Sequence, residues 1–137
     1  MFTYEFDDEL LLIKYDGPID INELITFIEF IYLKFDTAVR KTIMDFRTAK
    51  LNIDFEGIEK LKNARMKFSN RINHLHTIHL VSEVNETVYS TLYSLEIPRN
   101  VSKIEVCSTI ENTIKLLQLK ITSQQLENRL KNLACKF

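Results

Sequence analysis

At 137 residues the chain fits one domain with a hydrophobic core, and 45% hydrophobic against 27% charged residues is an ordinary globular balance. A formal net charge of -1 provides no bulk field toward nucleic acid or an anionic membrane. No apolar run approaches the roughly eighteen residues of a spanning helix, and the acidic opening MFTYEFDDEL lacks a signal-peptide layout, so a cytoplasmic location is expected.

In chain order, FTYEF at 2–6 and LLLIKYD at 10–16 are short apolar runs split by an acidic turn, the pattern of a β-hairpin. Gly17-Pro18 marks the end of the second run. Asp20 and Glu23 then form a capping pair for a helix reaching residue 35. Ile21, Leu24, Ile25, Ile28, Ile31 and Phe35 repeat at helical spacing, widened by Phe27 and Phe30, which predicts heavy burial. A strand over 40–46 precedes a helix over 54–70, whose apolar side carries Ile58, Leu61, Ala64 or Arg65, and Phe68. HLHTIHLV at 74–81 is a further strand. The helix over 84–97 stacks Val84, Val88, Leu92 and Leu95 on one side, predicted as its core face, and Pro98 stops it. The strand over 102–107 leads to a helix capped by Ser108 or Thr109, with Ile110, Ile114 and Leu117 inward.

The order β-β-α-β-α-β-α-β-α predicts an α/β domain over 1–120, with a five-stranded mixed sheet and right-handed crossovers. The remaining segment, 121–137, places Leu126, Leu130, Leu133 and Phe137 on one helical face. It is expected to be an extra amphipathic helix, packed on its own domain or on a second subunit in a homodimer.

The candidate chemistry is sparse. Only two glycines occur, Gly17 and Gly57, which excludes a Walker loop or a dinucleotide fingerprint. Cys107 and Cys135 are read as free thiols, since they form no close pair. His74 and His76 share one strand face while His79 takes the other, so no metal set closes. No catalytic constellation and no cofactor signature is present. Asp45 and Arg47 lie at the carboxyl end of a central strand, where open α/β sheets place ligands. With Asp54 and Glu56 they make a charged cluster, in which Arg47 pairs with Asp45 or Asp54 to fix the loop. Lys60, Lys62, Arg65, Lys67 and Arg71 spread round a solvated face of the second helix. Little aromatic interleaving there argues against single-stranded nucleic acid. Tyr89 and Tyr93, four apart, are either partly buried or interface anchors.

Three stretches, LLLIKYDGPIDINELITFIEFI, TIMDFRTAKLNIDFEGIEKL and SKIEVCSTIENTIKLL, together resemble the STAS domain and the SpoIIAA-like proteins of bacteria over about residues 2–119. Anti-sigma-factor antagonists of that kind carry a phosphorylatable serine at the start of the second helix. The matching run here is Asp54-Phe55-Glu56-Gly57, which keeps the aspartate and glycine but no serine. The resemblance implies a non-catalytic regulatory or protein-binding module of the bacterial cytoplasm, without serine phosphoswitching. Its partner-binding residues would be Arg47, Asp54, Phe55, Glu56 and Gly57. Interface candidates are Tyr89, Tyr93, Leu126, Leu130 and Leu133. The alternative reading is a small carrier of an apolar, lipid-like ligand between sheet and helix.

Overall fold

The computed structural model describes residues 1–35 and 38–137. β1 (Phe2–Asp7) and β2 (Leu10–Asp20) pair antiparallel across the two-residue turn Asp8–Glu9. Both turn residues take positive φ, 46° and 72°, the mirror-image turn that suits strand twist. α1 (Ile21–Phe35) begins where the Asp20 carboxylate accepts the Glu23 N–H at 2.9 Å. β3 (Lys41–Asn52), α2 (Phe55–Met66), β4 (Leu75–Leu80), α3 (Val84–Glu96), β5 (Ser102–Cys107) and α4 (Ile110–Leu117) alternate in the expected order. β3 runs past the expected end at 46 because its later residues pair with β2, so Asp45 and Arg47 lie inside the strand and not at its carboxyl end. α2 ends at Met66, short of 70. Thr109 caps α4 by accepting the Asn112 N–H at 3.1 Å. α5 (Ser123–Lys131) and β6 (Cys135–Lys136) complete the chain.

The strands form one mixed sheet in the order β5-β4-β3-β2-β1-β6. β2 through β5 are parallel, and β1 is antiparallel to both of its neighbours. Alternation along β2 sends Leu11, Ile13 and Tyr15 into one core and Leu10 and Leu12 into another. α1, α2 and α3 cover the first core; α4 and α5 cover the second. No described helix is long and apolar enough to cross a membrane.

Four further expectations are corrected. The sheet has six strands, not five, because the amphipathic helix stops at Lys131 and the tail joins β1 as an edge strand. Phe137 therefore leaves the helical face, and its ring packs 5.2 Å from Phe27 and 4.9 Å from Phe30 in the first core. β2 runs through Gly17-Pro18 to Asp20, since residues 16–20 continue to pair with 48–52 after a register shift. Pairing with β1 ends at Tyr15, and a strand with a free edge tolerates proline. Three of the four residues of the α3 stripe face out rather than in: Val84 and Leu95 are 80% and 77% exposed and Val88 is exposed too, while Leu92 is half-buried against the first core as expected. The buried positions of that helix are Glu86 and Ser90. Leu126 and Leu130 lie fully inside the second core, so they are not available to a second subunit through this helix.

Candidate functional site

Where β3 gives way to α2, Asp54 takes an extended conformation and its carboxylate accepts the Gly57 N–H at 2.8 Å. This N-cap fixes the first turn of the helix. Gly57 is buried against Ile53; a Cβ there would stand 2.6 Å from Ile53 Cγ2. Between them Phe55 is left 77% exposed, and Glu56 points to solvent within 3.8 Å of Lys60 Nζ. Negative charge at a helix N-terminus interacts favourably with the dipole.

Beside this corner runs an open groove of about 910 Å³, lined by Ile21 of α1, by Asn52 to Phe55, and by Val84, Val88 and Leu92 of α3. The last three belong to the outward stripe of α3. It faces out because the opposite side of α3 is held by polar groups. Glu86 accepts the Leu51 N–H at 3.3 Å, Asn85 donates to the Leu51 carbonyl at 3.1 Å, and Ser90 Oγ lies 3.0 Å from His79 Nδ1. β4 pairs with β3 only as far as Asp45, so Asn85 and Glu86 complete hydrogen bonds on the bare edge of β3 beyond it.

Arg47 does not join this corner. Its guanidinium donates to Asp45 at 2.9 and 2.8 Å and to Glu127 of α5 at 3.2 and 3.0 Å. These contacts belong to the side of the sheet that α5 covers. The Asp45 hydrogen bonds lead in holding the Arg47 pKa above its ordinary value, against the opposing effect of burial. The pairing expected between Arg47 and Asp45 is thus present, while Asp54 through Gly57 stand apart from it.

Tyr89 is half-buried at the junction of the groove and the interior. Tyr93 stacks on His79 with ring centroids 5.9 Å apart, and burial pushes its pKa up. Leu133 is half-buried on the second core. His76 Nε2 meets Glu105 at 3.2 Å, whereas His79 is buried with Nε2 unpartnered and its pKa lowered to about 4 by desolvation. Among the described residues no three His, Cys, Asp or Glu side chains gather as a metal set. A cavity of about 40 Å³ lies under α2 and α3, bordered by Tyr15, Phe46, His79 and Tyr93. It is wide enough for a few waters, not for an acyl chain.

Sequence periodicity missed two features: the outward aim of most of the α3 stripe and the edge-closing pair Asn85–Glu86. It left Arg65 open, as an alternative to Ala64 on the apolar side or as part of the solvated face. The arginine is buried, donates to the Ile72 carbonyl at 2.8 Å and lies 4.7 Å above the Tyr32 ring. A usable signal existed for α3: Glu86, Tyr89, Ser90 and Tyr93 also recur at helical spacing, on the opposite side from the valines.

No family model matches the chain, and no curated protein matches it in sequence. Solved structures do match. An uncharacterized DUF3478-family protein from Shewanella loihica PV-4, with a SpoIIAA-like fold, aligns at a TM-score of 0.57 and 6% identity, covering 85% of this chain and 92% of that one. The phosphorylated form of the Bacillus cell fate determinant SpoIIAA aligns at 0.51 and 15% identity, covering 85% and 99%. The fold is SpoIIAA-like. The unphosphorylated anti-sigma factor antagonist SpoIIAA aligns at 0.48 and 19% identity, covering 87% and 99%.

Proposed function

We propose that this chain is a non-catalytic regulatory module of a bacterial cytoplasm that captures a protein partner at the start of α2. The observation that carries this reading is Phe55: a large aromatic, 77% exposed, on a turn fixed by the Asp54 cap and the buried Gly57. An aromatic side chain held rigidly in solvent contributes large buried area on binding at small entropic cost. The fold likeness to SpoIIAA supports a regulatory role at this corner, and the serine-free run Asp54-Phe55-Glu56-Gly57 supports a mode without serine phosphorylation. Glu56 gives the corner a fixed negative charge.

The test is co-purification with wild-type, Phe55→Ala and Glu56→Lys chains as bait, read by mass spectrometry. Both positions are exposed, so both variants should stay folded with unchanged far-ultraviolet dichroism. Phe55→Ala should keep the melting temperature. Glu56→Lys inverts a favourable charge in the first helical turn and loses the Lys60 pair, and should melt only slightly lower. The same partner should be enriched on wild type and reduced about tenfold or more on either variant. Identical partner sets on all three baits would remove this corner as the binding site.

A further inference from the structure

We infer that the partner element seated in the groove between the start of α2 and α3 is a basic amphipathic helix. This rests on the protein-binding reading above and adds the chemistry of the partner. The groove is lined by Ile21, residues 52–55 and residues of α3 from Val84 to Leu92, and the segments that carry and flank this lining are 20–25, 51–59 and 83–96. Together they hold Asp20, Glu23, Asp54, Glu56, Glu59, Glu83, Glu86 and Glu96, and not one Lys or Arg; Glu86 is buried against the β3 edge, which leaves seven that can face the rim. The eight are drawn from a chain with 19 acidic and 18 basic residues, so the remainder carries 11 acidic against 18 basic. Near-neutrality overall therefore hides an excess of acidic residues around this groove. Flanking lysines answer part of this charge: Lys60 lies 3.8 Å from Glu56, and Lys62 lies 3.8 Å from Glu59 and 3.5 Å from Glu96, while Lys50 lines a neighbouring groove with Arg47 and Glu83. Among the described residues Asp20, Glu23, Asp54 and Glu83 form no such pair with a lysine or arginine, and they set the sign of the rim.

The floor and walls between those carboxylates are apolar. Val84, Val88, Leu92 and Leu95 recur at intervals of four, four and three on α3, and Phe55 stands opposite Val84 and Val88. The stripe is roughly 16 Å long at the α-helical rise, about three turns of a partner helix. An occupant needs apolar residues at helical spacing to cover this stripe and positive charge on its flanks to meet the rim. An extended peptide would need a free strand edge. The edge of β3 at Leu51 is closed by Asn85 and Glu86. A helix satisfies its own backbone and needs no such edge. An anionic membrane surface is repelled by the exposed carboxylates of this rim.

The test uses the full chain and a fluorescein-labelled peptide of about four helical turns, built from Leu and Lys in amphipathic order. Two controls are a non-amphipathic shuffle of the same residues and a Leu/Glu counterpart. Fluorescence anisotropy should show the Leu/Lys helix binding on the order of tenfold tighter than either control, with affinity falling as salt rises. The double variant Phe55→Ser/Val88→Ser alters no charge and should weaken binding about tenfold. Leu33→Ser, at an exposed residue outside the groove, should leave it unchanged. Equal binding of the shuffled peptide, or no loss in the double variant, overturns the inference. So does a dimer by light scattering that the double variant dissociates, because the groove would then hold a second copy. If the double variant loses its co-purified partner while the wild type ignores the Leu/Lys helix, the basic-helix inference falls and the protein-binding reading stands. If the variant keeps every partner, both fall.

Discussion

A methyl group added at Gly57 would meet Ile53 Cγ2 at 2.6 Å, and that carbon belongs to a β-branched side chain with little freedom to move. Gly57→Ala should therefore cost on the order of 1–3 kcal/mol, the range for overpacking a filled site. Urea unfolding of Gly57→Ala, Ile53→Ala and the double variant checks the cause. The penalty at Gly57 should shrink once Ile53 is truncated, and an undiminished penalty would put it elsewhere. His79 makes a second residue-level prediction. Burial lowers its folded pKa to about 4, below the ordinary value of 6.5. The unfolded chain thus takes up the proton first as pH falls. Stability from this group is complete above about pH 6.5 and is lost progressively down to about pH 4, by an amount on the order of 3 kcal/mol. Melting temperatures through that window should decline in the wild type and decline less in His79→Leu. Parallel slopes would show that His79 is not the titrating group.

Each side of the sheet has its own anchoring device, and the elements show how far sequence pattern reaches. α5 is clamped at both flanks: Arg129 donates to Glu5 at 2.9 Å, and Glu127 receives Arg47, which also grips the buried Asp45. Removing Arg47 strands a carboxylate that is 1% exposed. Arg47→Leu should destabilise by about 3 kcal/mol, and Asp45→Asn in that background should recover part of the loss. Glu127→Gln, at a partly exposed partner, should cost less than about 1 kcal/mol. A denaturation series that ranks Glu127→Gln above Arg47→Leu would contradict this assignment. The alternation of strands and helices was legible because apolar periods of two and of 3.6 are distinct signals. Periodicity finds a stripe but does not say which way it faces. On α3, Val84, Val88 and Leu95 make as good a stripe as Tyr89, Ser90 and Tyr93; the polar bonds of Glu86 and Ser90 to the sheet decide the orientation, and those are long-range. The tail misled for a related reason. Leu126, Leu130, Leu133 and Phe137 keep helical spacing, while a two-residue strand at Cys135–Lys136 has no period to read. The corner at Asp54–Gly57 was legible from local cap chemistry, but its groove was not, because α1 and α3 contribute to it from distant parts of the chain.

At the scale of the molecule, both sheet faces require cover, and the second is covered by only two short helices. Leu10, Leu12, Ile43 and Leu80 form that face, with Leu126 and Leu130 of α5 fully buried among them. A chain cut after residue 120 would bare this apolar surface, free Arg47 and Glu5 of their α5 partners, and leave β1 without its edge strand β6. If α5 were a subunit joint, the cut chain would remain a folded monomer with half the mass of the parent. Packing inside the domain predicts a different result. The cut chain should bind a hydrophobic dye, lose its sharp melting transition and associate through the bared leucines and the open β1 edge. Light scattering together with calorimetry separates the two outcomes. A cooperative transition in the cut chain, at the parent's melting temperature, would mean that the second core does not depend on α5. Retained folding would also break the link between the two ends of the chain, in which β6 seals β1 while Phe137 fills the aromatic cluster of Phe2, Phe27 and Phe30. Closing the sheet edge and completing both cores with the same 17 residues makes the C-terminal segment part of the folding unit. The groove between the start of α2 and α3 then remains open, with Val84 and Val88 exposed along it, as the surface proposed above for a partner.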